Sequence, residues 1–227
     1  MGNICIIPAR GGSKRIPRKN IKEFLGKPII AYSIKAAIDS GLFDEVMVST
    51  DDLEIADIAK KYGAKVPFMR SKKNSGDFAT TFDVIEEVIQ AYKYHGKEFE
   101  NLCCIYSCAP FVTSKLLLKA YDQLVREKFD TVFPIIVYSF PIQRALRVDQ
   151  GKVYMILEKN LNVRSQDLEE SFHDAGQFYW CNSKKLLKIK KILTQNSGCV
   201  EISELEAQDI DTEIDWKLAE IKFQLKK

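Results

Sequence analysis

Nowhere does the chain carry an apolar run long enough to cross a bilayer, and it starts on a strand-like apolar segment rather than on a charged and then apolar leader. Both absences set the expectation of a cytoplasmic protein with no membrane partner. An excess of one charge is missing too: 34 Lys+Arg against 31 Asp+Glu leave a net charge of +3, too little for a dedicated nucleic-acid binder. The six cysteines form no CxxC pair and no Cys/His spacing of a zinc module, so they read as reduced, mostly buried thiols. Repeats and low-complexity linkers are absent, which leaves a single domain over residues 1–227, long enough for a sizeable core. Neither GxxxxGK followed by Ser or Thr nor GxGxxG occurs, so the P-loop and the dinucleotide loop are excluded.

What is present is another kind of phosphate loop. Residues 4–21 read ICIIPARGGSKRIPRKNI. Ile4, Ile6 and Ile7 make a buried strand, which Pro8 ends because proline has no N–H for the ladder. Gly11 and Gly12 let the backbone turn and bring its amides near an anion, while Arg10, Lys14, Arg15, Arg18 and Lys19 surround the turn with cations. A solvated basic loop is the plain alternative. The coincidence of strand exit, glycines and charge favours a polyphosphate site.

Apolar strand segments alternate with amphipathic helix segments for most of the length, the pattern of an α/β protein with a mainly parallel sheet covered on both faces. Helices are predicted over residues 28–40, 52–62, 82–94, 113–128 and 184–192, with a final one whose apolar stripe is Ile214, Leu218, Ile221 and Leu225. Strands are predicted over residues 45–49, 66–69, 102–107, 131–137 and 177–180. Alternating apolar residues around Asp149, Gln150 and Gly151 predict a β-hairpin at 146–157, projecting from the sheet. The polar stretch 70–81 follows a predicted strand and is a second candidate binding loop.

QDIDTEIDW carries an acidic residue at every second position. In an extended segment Asp209 and Asp211 would share one face and offer hard oxygen ligands suited to Mg²⁺. Alternatively Asp211 or Thr212 merely caps the last helix, with Glu213 and Asp215 at its positive end. A polyphosphate site asks for a metal, which favours the first reading.

IIPARGGSKRIPRKN, then VSTDD, then DIDTE, resembles the cytidylyltransferases that activate nonulosonic acids, the acylneuraminate family, over nearly the whole chain and in order. The resemblance implies a Rossmann-like nucleotidyltransferase fold with a small dimerisation element, here residues 139–172, and hence a homodimer. It implies CMP transfer from CTP to an acidic nine-carbon sugar with Mg²⁺. HDAGQFYW and IYSCAPF look most like the pseudaminic acid branch; the sialic acid branch carries glutamine and RPNG where this chain has Tyr106 and His173 to Gly176. Legionaminic and N-acetylneuraminic acid are the alternative substrates, and a non-catalytic nucleotide-binding module the alternative class.

By matching positions, Arg10, Ser13, Lys14, Lys19 and Asn20 would hold triphosphate and ribose, with Ala9, Gly11 and Gly12 in the same loop. Arg70, Thr80 and Thr81 would lie along the cytidine, and Asp209 and Asp211 at the metal. Tyr106, Gln143, Arg164, His173, Asp174 and Gln177 would face the sugar, whose carboxylate asks for a cation such as Arg164 or Lys14. Arg10, Lys14, Lys19 and Asp211 are the implied catalytic group. No residue stands out as a general base.

Overall fold

Alternation along the first strand decides which helices cover which face of the sheet. The computed structural model describes residues 2–226. In β1 (Gly2–Pro8), Ile4 and Ile6 point to one side and Cys5 and Ile7 to the other, all fully buried. Ile4 and Ile6 join a core with Ile85, Val88 and Leu186, whereas Cys5 and Ile7 join one with Ile34, Ile55 and Leu117. Helices α3 (Thr81–Tyr94) and α5 (Ser183–Ile189) therefore lie on the first face. The second is covered by α1 (Ile30–Ser40), α2 (Leu53–Lys61) and α4 (Ser114–Arg126).

The strands in chain order are β1, the short pair β2 (Glu23–Phe24) and β3 (Lys27–Pro28), then β4 (Glu45–Ser49), β5 (Phe99–Ile105) and β6 (Thr131–Val137). There follow β7 (Leu146–Asp149), β8 (Lys152–Met155), β9 (Phe172–Asp174), β10 (Phe178–Asn182) and β11 (Ser197–Glu201). The main sheet runs β11-β6-β10-β5-β1-β4, with β9 added on β6. β1 is parallel to β4 and β5, and β11 to β6, while β10 and β9 run antiparallel to their neighbours. The sheet is thus mixed, with five strands running one way and β9 and β10 the other. The hairpin predicted at 146–157 forms as β7 and β8, a separate two-stranded ribbon.

Two predicted elements differ. Residues 66–69 form no strand: Lys65 makes a single bridge to Met47, and Pro67, which has no N–H, follows at once. The last helix, α6 (Glu213–Leu225), turns the opposite way from its predicted stripe. Ile214, Leu218, Ile221 and Leu225 are exposed, and Trp216 and Ala219 are buried against Phe24 and Phe111 with Phe223 beside them. The aromatic side chains decide the orientation because each buries more apolar area than an aliphatic one. Finally, β9 and β11 are unforeseen strands, too short and too polar to announce themselves.

No helix among the described residues is long and apolar enough to cross a membrane. All six cysteines are free thiols, four of them buried.

Candidate active site

The segments leaving β1 and β5 at their C-terminal ends meet the polar loop before α3 around a cleft of about 560 Å³. Such crevices are where open α/β sheets collect ligands. Arg10, Ser13, Lys14, Lys19 and Asn20 line it from the first segment, Arg70, Thr80 and Thr81 from the polar loop, and Tyr106 from beyond β5. Asp209 and Asp211 close it from the far end of the chain. The two charge clusters foreseen in the sequence thus share one cleft.

The basic loop is held by its own polar side chains. Asn20 is buried; its Nδ2 donates to the Arg10 carbonyl at 2.8 Å, and its Oδ1 accepts from Ser107 Oγ at 2.8 Å and Cys108 Sγ at 3.2 Å. Arg18, in the left-handed region at φ 55°, turns out of the cleft and grips Asp52 and Glu54 at the start of α2. Its carboxylate partner Asp52 raises the Arg18 pKa. Gly11 is glycine for space: a Cβ there would lie 2.8 Å from Asp52 Oδ2, and its amide donates to Asp51 Oδ1 at 2.9 Å. Nothing stands within 4 Å of a Cβ at Gly12. Ala9 is buried, its amide on the Ser49 carbonyl.

The polar loop presents a buried cation. Arg70 is 8% exposed, its Nε donates to Ser49 Oγ at 3.0 Å, and burial lowers its pKa. Thr80 caps α3, exchanging bonds with Asp83. Thr81 Oγ1 is 3.2 Å from the Tyr106 hydroxyl, and burial raises the pKa of that tyrosine.

At the acidic end, the capping alternative is resolved by Thr212. It is the N-cap of α6 and closes a capping box with Asp215, while Glu213 pairs with Lys22 at 2.7 Å. Asp209 and Asp211 are therefore left over from capping. Ile210 between them is buried in the core under α6, so the two acids face the cleft from an alternating segment. Asp211 accepts from Arg15 at 2.6 Å and lies 3.5 Å from the Lys19 ammonium. Asp209 has no ion pair among the described residues, and burial followed by the Asp211 charge raises its pKa. Asp209 and Asp211, two neighbouring carboxylates on one cleft, are oxygen donors of the kind a hard divalent cation takes.

Of the residues assigned to the sugar, Tyr106 lines the cleft itself and the others divide into two places. His173 and Asp174 line an adjoining hollow of about 360 Å³ that shares Asp209 with the cleft. Asp174 is tied by the Tyr179 hydroxyl at 2.6 Å and the Gly176 amide at 2.7 Å, and Tyr138 lies 4.9 Å from the His173 ring. Gln177 is buried beneath, donating to the Glu206 carbonyl at 2.6 Å. Gln143 and Arg164 sit instead on the projecting arm: Gln143 donates to Glu169 and Ser171, and Arg164 pairs with Asp167 at 2.7 Å.

Asp77, Ser107 and Tyr179 belong to the site or brace it and are not singled out by the sequence, whereas Arg15 is, as one of the loop cations. Asp77 stands in the polar loop next to Gly76, and its charge among lysines and serines is the local signal for it.

A family profile described as Cytidylyltransferase matches residues 4–210. Over 226 residues the chain is 43% identical to a pseudaminic acid cytidylyltransferase of Campylobacter jejuni, covering 99% of this chain and 97% of that one. A CMP-N,N'-diacetyllegionaminic acid synthase of Legionella pneumophila is 32% identical, with 98% and 96% covered. Among solved structures, a CMP:2-keto-3-deoxy-manno-octonic acid synthetase complexed with CTP superposes with a TM-score of 0.73 at 16% identity, covering 100% of both chains. That likeness speaks for the fold.

Proposed function

The chain belongs to the cytidylyltransferase family, and from that premise we propose that it transfers CMP from CTP to a nonulosonic acid, with pseudaminic acid as the substrate. The observation that carries the reading is the meeting of Arg10, Lys14 and Lys19 with Asp209 and Asp211 in one cleft. The 43% identity to the Campylobacter jejuni enzyme supports the choice of sugar.

In this reading the anomeric hydroxyl of the sugar attacks the α-phosphorus in line. A new P–O bond forms, the bond to the β-phosphate breaks, and pyrophosphate leaves with the electron pair. Little covalent work falls to the protein in such a displacement, so positioning and charge stabilisation carry the acceleration. Arg10 and Lys14 hold the β- and γ-phosphates, and Lys19 holds the α-phosphate against the acidic end. Arg70 and the α3 start, Thr80 and Thr81, lie along the cytidine. His173, Asp174 and Tyr106 shape the sugar side. Asp209 and Asp211 would hold Mg²⁺, which when bound neutralises charge on the phosphates. The hydroxyl proton passes to water in this reading.

The arm at residues 139–172 is assigned to a homodimer contact, and the protein to the cytoplasm. Purified protein with CTP and Mg²⁺, offered pseudaminic, legionaminic and N-acetylneuraminic acids in turn, tests the whole reading by pyrophosphate release. Release is expected to be fastest with pseudaminic acid. Preference for another acid would move the substrate, and no release with any of them would overturn the activity.

A further inference from the structure

Asp77 has no part in the chemistry above, yet it touches two of the cleft's cations at once. Its Oδ1 accepts from Arg10 Nη1 at 2.8 Å and its Oδ2 from Lys14 Nζ at 2.5 Å. One carboxylate therefore sets each oxygen on a different cation of the phosphate loop, as two phosphate oxygens would. The two cations hold the Asp77 carboxyl below its ordinary range, Lys14 first and Arg10 next, so it stays charged at neutral pH.

The backbone that carries Asp77 is fastened on both sides but not in the middle. Before it, Ser71 and Asn74 are bound to Glu87 of α3; after it, Thr80 is boxed with Asp83. Between these ties, the side-chain hydrogen bonds joining residues 76–79 to the rest of the described chain are those of Asp77, and the neighbouring Phe78 is 99% exposed. The paired side chains are themselves open, Arg10 at 37%, Lys14 at 76% and Asp77 at 43%. Pairs so solvated are weak and exchange readily, which suits a displaceable contact better than a brace.

We propose that Asp77 is an internal competitor for the polyphosphate, lowering its affinity by holding Arg10 and Lys14 and returning to them as pyrophosphate leaves. The inference rests on the reading of the cleft as a CTP site. Its consequence is selective: ligands that need those two cations bear the competition, and a ligand without phosphates does not. Product release is then assisted by a group already tethered beside the departing anion, at high effective concentration.

Asp77→Asn removes the charge and keeps the shape at an exposed position. Calorimetric titration with inorganic pyrophosphate, CTP and cytidine is the test, with Asp77→Glu as the charge-conserving control. Pyrophosphate and CTP are expected to bind Asp77→Asn about fivefold more tightly, the upper range for losing exposed pairs, and cytidine to be unchanged. Asp77→Glu should bind as the native protein does, and product inhibition by pyrophosphate should strengthen in Asp77→Asn alone. Equal or weaker pyrophosphate binding by Asp77→Asn, with native CTP binding intact, would overturn the competition while leaving the cytidylyltransferase reading in place. A native protein that binds neither CTP nor pyrophosphate would overturn both.

Discussion

Lys19 donates its ammonium to the carbonyl oxygen of Ile210 at 2.6 Å, joining positions 191 residues apart. That contact fixes the distance between the basic loop and the acidic pair, because Ile210 stands between Asp209 and Asp211. The cleft is thus closed by a bond between one side chain and the backbone of its opposite wall. The Arg15–Asp211 pair at 2.6 Å joins the same two walls through a side chain.

Replacing Lys19 by methionine keeps the stem and removes the donor. Hydrogen bonds to charged groups contribute about 1.5–3 kcal/mol, so the KM for CTP is expected to rise at least about tenfold. The side chain is 21% exposed, so screening by salt is partial and the loss should persist at 0.15 M salt, to within about threefold. Steady-state kinetics at two salt concentrations check this, and an unchanged CTP dependence would refute the role.

Asp211 and Thr212 are neighbours with separate duties, and substitution should separate them. Asp211→Asn is expected to lower turnover by on the order of a thousandfold, the cost of removing a main electrostatic stabiliser, with folding intact. Thr212→Ala should instead cost about 1 kcal/mol of stability through loss of the α6 cap, with turnover within about twofold of native. Rates at saturating Mg²⁺ together with thermal melts distinguish the two. A turnover within about tenfold of native in Asp211→Asn would remove the metal assignment.

How much of this could be read before the structure follows from what each signal depends on. The loop at residues 4–21 and the acids at 209 and 211 announce themselves locally, through charge, glycine and alternation, and both line the cleft. Partners across space do not: nothing in the sequence says that Arg18 serves α2 while Arg15 serves Asp211. Helix α6 shows the limit of periodicity, since an aliphatic stripe and an aromatic stripe share one helix and bulk decides which is buried. Strand direction is equally silent, for β10 has the same apolar run whether it pairs parallel or, as found, antiparallel.

Glu45 makes stability depend on pH. Its side chain is 3% exposed, and burial would raise its pKa. Lys97 at 2.5 Å, Lys65 at 3.1 Å and the Tyr92 hydroxyl at 3.0 Å outweigh that, so the carboxyl titrates below its ordinary range. A folded pKa below the unfolded value of about 4.3 gives stability that is complete above that value and is lost as pH falls through the folded pKa. Glu45→Gln should lower stability by about 1–3 kcal/mol at pH 7 and lose less than the native protein on acidification. Thermal melts between about pH 7 and 3 measure both; parallel native and variant curves would show that Glu45 is not the acid-labile group.

The projecting hairpin supplies the last expectation. Leu146, Val148, Val153 and Met155 form one face of β7 and β8, with Val148 directly opposite Val153, and these two valines are 72% and 60% exposed. The opposite face carries Arg147, Asp149, Lys152 and Tyr154, with Arg147 over the Tyr154 ring. An isolated two-stranded ribbon is at best marginal in water, and Leu146, Val148 and Val153 on its apolar face stay exposed. In the homodimer proposed above, a second copy of the same face would supply that cover through a two-fold contact in which apolar side chains meet their own kind. Sedimentation at micromolar concentration should therefore report a dimer, and Val148→Asp should convert it to a monomer by burying an unpaired charge at the contact's centre. Since Val148 packs on nothing in its own protomer's core, the variant monomer should keep the native circular dichroism spectrum. A native protein that sediments as a monomer would show that the hairpin face is covered by something other than a second copy.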